Sequence, residues 1–156
     1  MKKILTLAFL LSEDRICLAL KKRGFGEGNW NGFGGKCEGD ETVDESAIRE
    51  IKEESEVVVL EKDLEKVGII EFLYPNDLHL EVHTFFIHRW NGSPEETEEM
   101  RPEWFPFDQI PYEHMWADDR YWLPRVLQGE KLIGKVWFNE DGKSSKEMEW
   151  KQVENF

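Results

Sequence analysis

The sequence predicts an α/β fold: a mixed β-sheet sandwiched between two helices, with β-hairpins added. Short apolar runs bounded by turn residues recur along the chain and read as strands. Helical signals occur in only two places, one after Thr42 and one over about 118–128. Strands interrupted by two widely separated helices suit a sheet covered on both faces. With 156 residues, the chain is expected to form one domain spanning 1–156 with a substantial core.

Residues 4–11 and 15–21 are expected to be strands around the polar turn Ser12-Glu13-Asp14. The opening MKKILTLAFLL has the lysines and apolar run of a signal peptide, but Ser12-Glu13-Asp14-Arg15 follows with no cleavage pattern. The run is also too short to span a bilayer, so a buried first strand and a cytoplasmic protein are expected. Residues 22–35 carry six glycines interleaved with aromatics, a composition suited to a shaped wall against a ligand. A helix follows Thr42. Strands are then expected at 57–60, 66–74, 78–90 and 103–107, with turns at Pro75-Asn76-Asp77 and Asn91-Gly92-Ser93-Pro94. The second helix should be capped by Asp118 and kinked at Pro124, which removes one backbone hydrogen bond within it. Residues 131–138 and 146–153 should close the chain as a hairpin around Asn139-Glu140-Asp141-Gly142.

Composition excludes some functions. A net charge of −13 argues against polymeric nucleic acid as a partner and repels a polyphosphate unless metal ions screen it. Ten Phe and seven Trp supply surface for a core and for stacking a flat ligand. Cys17 and Cys37 form no metal or redox motif and read as packed thiols of a reducing compartment. His79, His83 and His88 lack metal-ligand spacing and are given no role.

The helix after Thr42 carries the chemistry. Thr42-x-x-Glu45 is a capping box, and Val43, Ala47, Ile48 and Ile51 make an apolar stripe. At about 100° per residue, Glu50 and Glu54 point within roughly 20° of Val43, with Glu53 further round. They flank the stripe, whereas a solvated charge face would lie opposite it. The Glu50/Glu54 pair should repel by about 0.2–0.5 kcal/mol, and a hard divalent cation would reverse that sign. Spacing alone leaves a metal site and a merely acidic helix both open.

Gly35, Glu41, Arg49, Glu50, Ile51, Glu53, Glu54 and Val57 match the Nudix box, G-x5-E-x7-R-E-U-x-E-E-x-G-U, where U is aliphatic. The chain therefore resembles the Nudix family. One position departs: Glu56 stands at the box glycine, where the helix ends and a left-handed backbone suits glycine. The segments KKRGFGEGNWNGFGGK, VGIIEF, EEMRPEWF and MWADDRYWLP resemble, in order, the animal MutT-type branch that hydrolyses oxidised purine nucleoside triphosphates. This likeness runs from about residue 6 to 138.

The resemblance implies the Nudix α/β/α sandwich and a diphosphatase acting on 8-oxo-dGTP and 2-hydroxy-dATP types, sanitising the nucleotide pool. It implies metal ligation by Glu50, Glu53, Glu54 and Glu99 with the Gly34 carbonyl, taking Mg²⁺, with Mn²⁺ as a substitute. Glu53, Glu54, Glu99 and Arg49 form the catalytic set, Arg49 pairing with Glu41 to brace the helix. The base pocket would comprise Asn31, Trp116, Asp118 and Asp119, walled by Thr6, Phe25, Phe72, Leu80, Met100 and Trp122. Apart from the resemblance, the basic cluster Lys21-Lys22-Arg23 is a candidate to attract the phosphate tail through Lys21, against the plainer reading of exposed lysines that bind nothing specific. The partner is thus a small nucleotide, with no membrane and no oligomer expected. Two neighbouring aspartates can share a proton and so present a donor beside an acceptor; the plainer reading is a pair of acids at a helix N-terminus. Other Nudix substrates stay open, namely O6-methyl-dGTP, a dinucleoside polyphosphate or a nucleotide sugar, as does a non-catalytic acidic module.

Overall fold

The computed structural model describes residues 2–156. Its strands are β1 (Lys2–Leu11), β2 (Arg15–Lys21), β3 (Trp30–Asn31), β4 (Phe33–Lys36), β5 (Leu64–Leu73), β6 (His79–Ile87), β7 (Met100–Pro106), β8 (Lys131–Phe138) and β9 (Ser145–Val153). Helix α1 spans Val43–Ser55 and α2 spans Asp119–Leu127.

All these strands belong to one mixed sheet, seven of them in the order β3-β2-β1-β6-β5-β8-β9, with β4 paired to β1 and β7 to β2 beside that path. The β1–β6 and β5–β8 pairings are parallel and the remainder antiparallel. One edge of β1 is shared by two strands. Its C-terminal end pairs with β2, Leu10 opposite Cys17, while its N-terminal half pairs with β4, Leu7 opposite Gly34. The sheet therefore forks, and the glycine-rich β3–β4 segment lies in the fork. Gly32 and Gly34 make this approach possible, because a Cβ would meet the Ala8 carbonyl oxygen at 2.5 Å or the Thr6 carbonyl oxygen at 1.9 Å.

Alternation along the strands builds two cores. Phe9, Leu11, Ile70, Phe86, Leu132 and Val136 face Trp122, Leu123 and Val126 of α2. Ala8, Leu10, Cys17, Phe85 and Ile87 face Ala47 and Ile51 of α1. This is the sandwich expected from the sequence. Among the described residues, no helix is long and apolar enough to cross a membrane.

Several boundaries differ from expectation. Residues 57–60 make a single bridge, Val58 to Asn91, because no neighbouring strand continues alongside, and a 3₁₀ turn at Glu61–Asp63 follows at once. Strand β6 stops at Ile87, short of Trp90, and β7 begins at Met100 because Lys21 pairs with it there. The expected glycine loop contains β3 and β4, too short to show periodicity. Asp118 occupies the N-cap position of α2 without capping through its side chain, which is bonded to Trp122 instead.

Candidate active site

Helix α1 begins with the predicted capping box: Thr42 Oγ1 accepts from the Glu45 N–H at 3.1 Å, and Glu45 Oε1 accepts from the Thr42 N–H at 2.9 Å. It ends at Glu56, whose φ of 67° is left-handed. The unusual residue at the box glycine thus keeps the backbone that a glycine would adopt, with the attendant strain.

The acids of α1 occupy three environments. Glu54 is buried at 2 % exposure, Glu50 is half-buried, and Glu53 is exposed. Glu54 Oε1 accepts from the Gly34 N–H at 2.8 Å, tying α1 to β4. Burial pushes the Glu54 carboxyl up to about 8; the charges of Glu50 and Glu99 add to this, while the Gly34 N–H and Lys21 oppose it. Glu50 is also raised, chiefly by burial, with Arg49 opposing. Its carboxylate occupies space that a side chain at Gly35 would fill, since a Cβ there would lie 2.6 Å from Glu50 Oε1.

Arg49 braces this group. Its Nε and Nη2 grip Glu41 at 2.6 and 3.0 Å, and Nη2 also donates to the Lys36 carbonyl at 3.1 Å. Its Nη1 reaches Glu50 at 3.0 Å and Glu53 at 3.2 Å. The Arg49 guanidinium holds the Glu41 carboxyl down to about 2. Among the described residues, no three His, Cys, Asp or Glu side chains are gathered tightly enough to chelate an ion as they stand. Arg49 draws Glu50 and Glu53 to itself, and Arg23 Nη2 lies 3.8 Å from Glu99 Oε1. The donors are nevertheless all oxygen, the set that Mg²⁺ and Mn²⁺ take.

A cavity of about 380 Å³ opens beside these acids. Around it the fold brings together Thr6, Lys21, Phe25, Asn31, Phe72, Leu80, Met100, Trp116, Asp118, Asp119 and Trp122, with Gly34 and Gly35 at the end nearest Glu54 and Glu50. The glutamates themselves lie outside its lining. Phe25, 81 % exposed, stacks on Trp116 with ring centroids 5.2 Å apart. Asp118 and Asp119 are both buried. Asp118 Oδ2 accepts from Trp122 Nε1 at 2.9 Å, whereas Asp119 Oδ2 has no partner among the described residues. Burial raises both carboxyls, and the Asp118 charge raises Asp119 further, so the two form a coupled pair in which Asp119 is the weaker acid.

Some lining residues escaped sequence reasoning. Tyr74 stacks on Phe138, ring centroids 4.6 Å apart and planes 10° from parallel. Strand alternation from Phe72 was the available signal for Tyr74; Phe138 arrives through the parallel β5–β8 pairing, which local pattern does not reveal. Leu7, Ile70, Val82 and Lys36 also line the cavity.

A mixed sheet between two helices, with an Arg-braced acidic helix docked on a glycine turn, is the arrangement of a Nudix-type hydrolase. The chain belongs to the Nudix family: the NUDIX domain family model matches residues 1–126. It is 45% identical over 137 residues to the oxidized purine nucleoside triphosphate hydrolase of Danio rerio, covering 87% of this chain and 86% of the relative. The enzyme of the same description from Mus musculus is 45% identical over 139 residues, covering 88% of each chain. In fold, it is similar to the MutT protein of Bacillus halodurans, with a TM-score of 0.82 at 23% identity, covering 95% of this chain and 97% of that one.

Proposed function

We propose that this Nudix hydrolase acts on oxidised purine nucleoside triphosphates of the 8-oxo-dGTP and 2-hydroxy-dATP types, releasing monophosphate and pyrophosphate. The observation that carries this reading is the cavity, which joins an apolar, aromatic slot ending in a buried aspartate pair to the glycine turn that holds Glu54. Its size suits one nucleobase with its sugar better than a dinucleoside or a nucleotide sugar. The 45% identity to hydrolases of oxidised purine nucleotides over most of the chain supports the same substrate class.

Each residue has a physical task in this reading. Trp116 offers a π-face to the purine, and stacking of that kind is worth about 1–3 kcal/mol per base. Stacking does not discriminate between bases, so the hydrogen-bonding edge must. Asp119 protonated and Asp118 ionised place a donor beside an acceptor, and moving the shared proton reverses them. That lets one pocket read two oxidised purines whose edges differ. Asn31 adds an amide, Lys21 a cation toward the phosphates, and Leu80 a stiff apolar wall.

Glu50, Glu53, Glu54 and Glu99, with the Gly34 carbonyl, would hold Mg²⁺, with Mn²⁺ as a substitute. The space that Gly35 leaves for the Glu50 carboxylate, and the buried Glu54 whose ionised form lacks a full counter-charge, fit such an ion. When bound, it offsets phosphate charge and lowers the pKa of an attacking water. Arg49 keeps the acids aligned, and Glu53, Glu54 and Glu99 are the candidates to take the water's proton. The whole chain, 1–156, acts on this reading as a single domain and a monomer in the cytoplasm, and sedimentation showing a stable dimer would overturn the monomer.

The test is a turnover panel with Mg²⁺ comparing 8-oxo-dGTP, 2-hydroxy-dATP, O6-methyl-dGTP, dGTP and dATP, read as monophosphate formed. The expected result is kcat/KM highest for the two oxidised purines. Equal turnover of modified and unmodified nucleotides would refute the substrate assignment.

A further inference from the structure

The acidic run at 95–99 is docked against the end of α1. The last carbonyls of a helix have no partner within it, and here two of them are satisfied from outside. The Glu95 N–H donates to the Ser55 carbonyl at 2.9 Å, and Thr97 Oγ1 donates to the Glu54 carbonyl at 3.2 Å. The same Thr97 oxygen accepts from the N–H groups of Glu99 and Met100, each at 3.3 Å. One hydroxyl therefore touches the backbone of Glu54 on one side and of Glu99 on the other.

The remaining bonds of the segment converge on this point. The Thr97 N–H donates to the Met100 carbonyl at 2.9 Å, and the Thr97 carbonyl accepts from Lys22 Nζ at 2.8 Å. The Glu99 carbonyl accepts from the Lys22 N–H at 2.8 Å. The backbone of Glu99 is thus bound at both its N–H and its carbonyl. Within this clasp the Thr97 hydroxyl is the side-chain group that bridges to α1.

We infer that Thr97 is a positioning residue whose hydroxyl sets the spacing between Glu54 on α1 and Glu99 on the facing loop. The inference rests on the reading of Glu54 and Glu99 as metal ligands. Groups that orient ligands in this way typically change metal affinity or activity by 10–100-fold when removed. Thr97→Val keeps the shape and loses the hydroxyl, whereas Thr97→Ser keeps the hydroxyl and loses the methyl.

The experiment measures Mn²⁺ affinity by electron paramagnetic resonance in the absence of nucleotide, for wild type, T97V, T97S, E54Q and E99Q, with kcat and KM measured alongside. T97V is expected to bind Mn²⁺ about 10-fold or more weakly and to lose kcat in proportion, with KM changing less, because Thr97 meets the base pocket through the backbone of Met100 and not through the Met100 side chain. T97S is expected to stay within about twofold of wild type. Wild-type affinity in T97V, or an equal loss in T97S, would overturn the inference; if T97V folds poorly, T97A, which also lacks the hydroxyl, is measured in its place, and wild-type affinity in T97A would overturn it likewise. If E54Q and E99Q themselves leave Mn²⁺ binding intact, the ligand assignment fails and the inference falls with it.

Discussion

Adding one methyl group at Gly34 or at the adjacent Gly35 should have opposite consequences, because the two glycines face different neighbours. A Cβ at Gly34 would lie 1.9 Å from the Thr6 carbonyl oxygen and 3.0 Å from Leu7 Cα, both main-chain atoms of the central strand. Only separation of β4 from β1 relieves that clash, which breaks the ladder around the Leu7–Gly34 pair. Overpacking ordinarily costs about 1–3 kcal/mol, and a backbone-against-backbone clash belongs at or above the top of that range. At this chain length, about 3 kcal/mol corresponds to a Tm lower by roughly 6–12 °C. A Cβ at Gly35 instead meets Glu50 Oε1 at 2.6 Å and Cδ at 2.8 Å, the mobile end of a side chain. The carboxylate swings aside, and the change in stability should stay within about 0.5 kcal/mol. Displacing this proposed metal ligand should nevertheless lower metal affinity and turnover by about 10–100-fold. Thermal melts of the metal-free proteins, beside Mn²⁺ titration and kcat, separate the two outcomes. Full turnover in Gly35→Ala, or an equal loss of stability in both variants, would refute the reasoning.

Glu56→Gly should stabilise the protein by about 0.5–1 kcal/mol, since a left-handed residue at φ 67° becomes a glycine and only an exposed ion pair with Lys52 is lost; urea unfolding checks it, and a destabilised variant would show that the Lys52 pair dominates. Trp122→Phe removes the donor to Asp118, so an unfolding free energy lower by about 1–3 kcal/mol is expected, together with a changed preference between the two oxidised purines. His83, buried between Lys66 and Glu81 with Asp44 and Lys2 nearby, has its pKa lowered mainly by burial. Its folded value lies below its unfolded one, so the stability it contributes is full above about pH 6.5 and is lost as pH falls through the folded value. His83→Gln should therefore flatten the stability profile on the acid side of 6.5, measured as the difference from wild type; parallel profiles would contradict this.

Much of the fold was legible because its signals are local. The capping box of α1, the turn before β2 and the termini of β8 follow from residues a few positions apart, and the structure reproduces them. The segment at 57–60 misled because strand composition, without an adjacent strand to pair with, yields only a bridge. Asp118 looked like a cap for the same local reason, until burial against Trp122 gave its carboxylate a closer donor.

The sequence by itself determined the acidic helix, the glycine turn that meets it, and the family to which both belong, because a fixed spacing on one helix fixes which side chains share a face. Tertiary structure decided the rest. Glu50, Glu53 and Glu54 differ little as letters; burial beneath β4 pushes the Glu54 carboxyl up, while Glu53 stays in water. Thr97 gave no signal in an acidic run, since its meaning lies in a helix end more than forty residues away. The cavity likewise collects residues from every strand from β1 to β8 and from the start of α2, which meet because parallel pairing and the forked sheet bring distant segments together. Long-range pairing of that kind leaves no periodic trace along the chain, so it is settled only when the sheet closes.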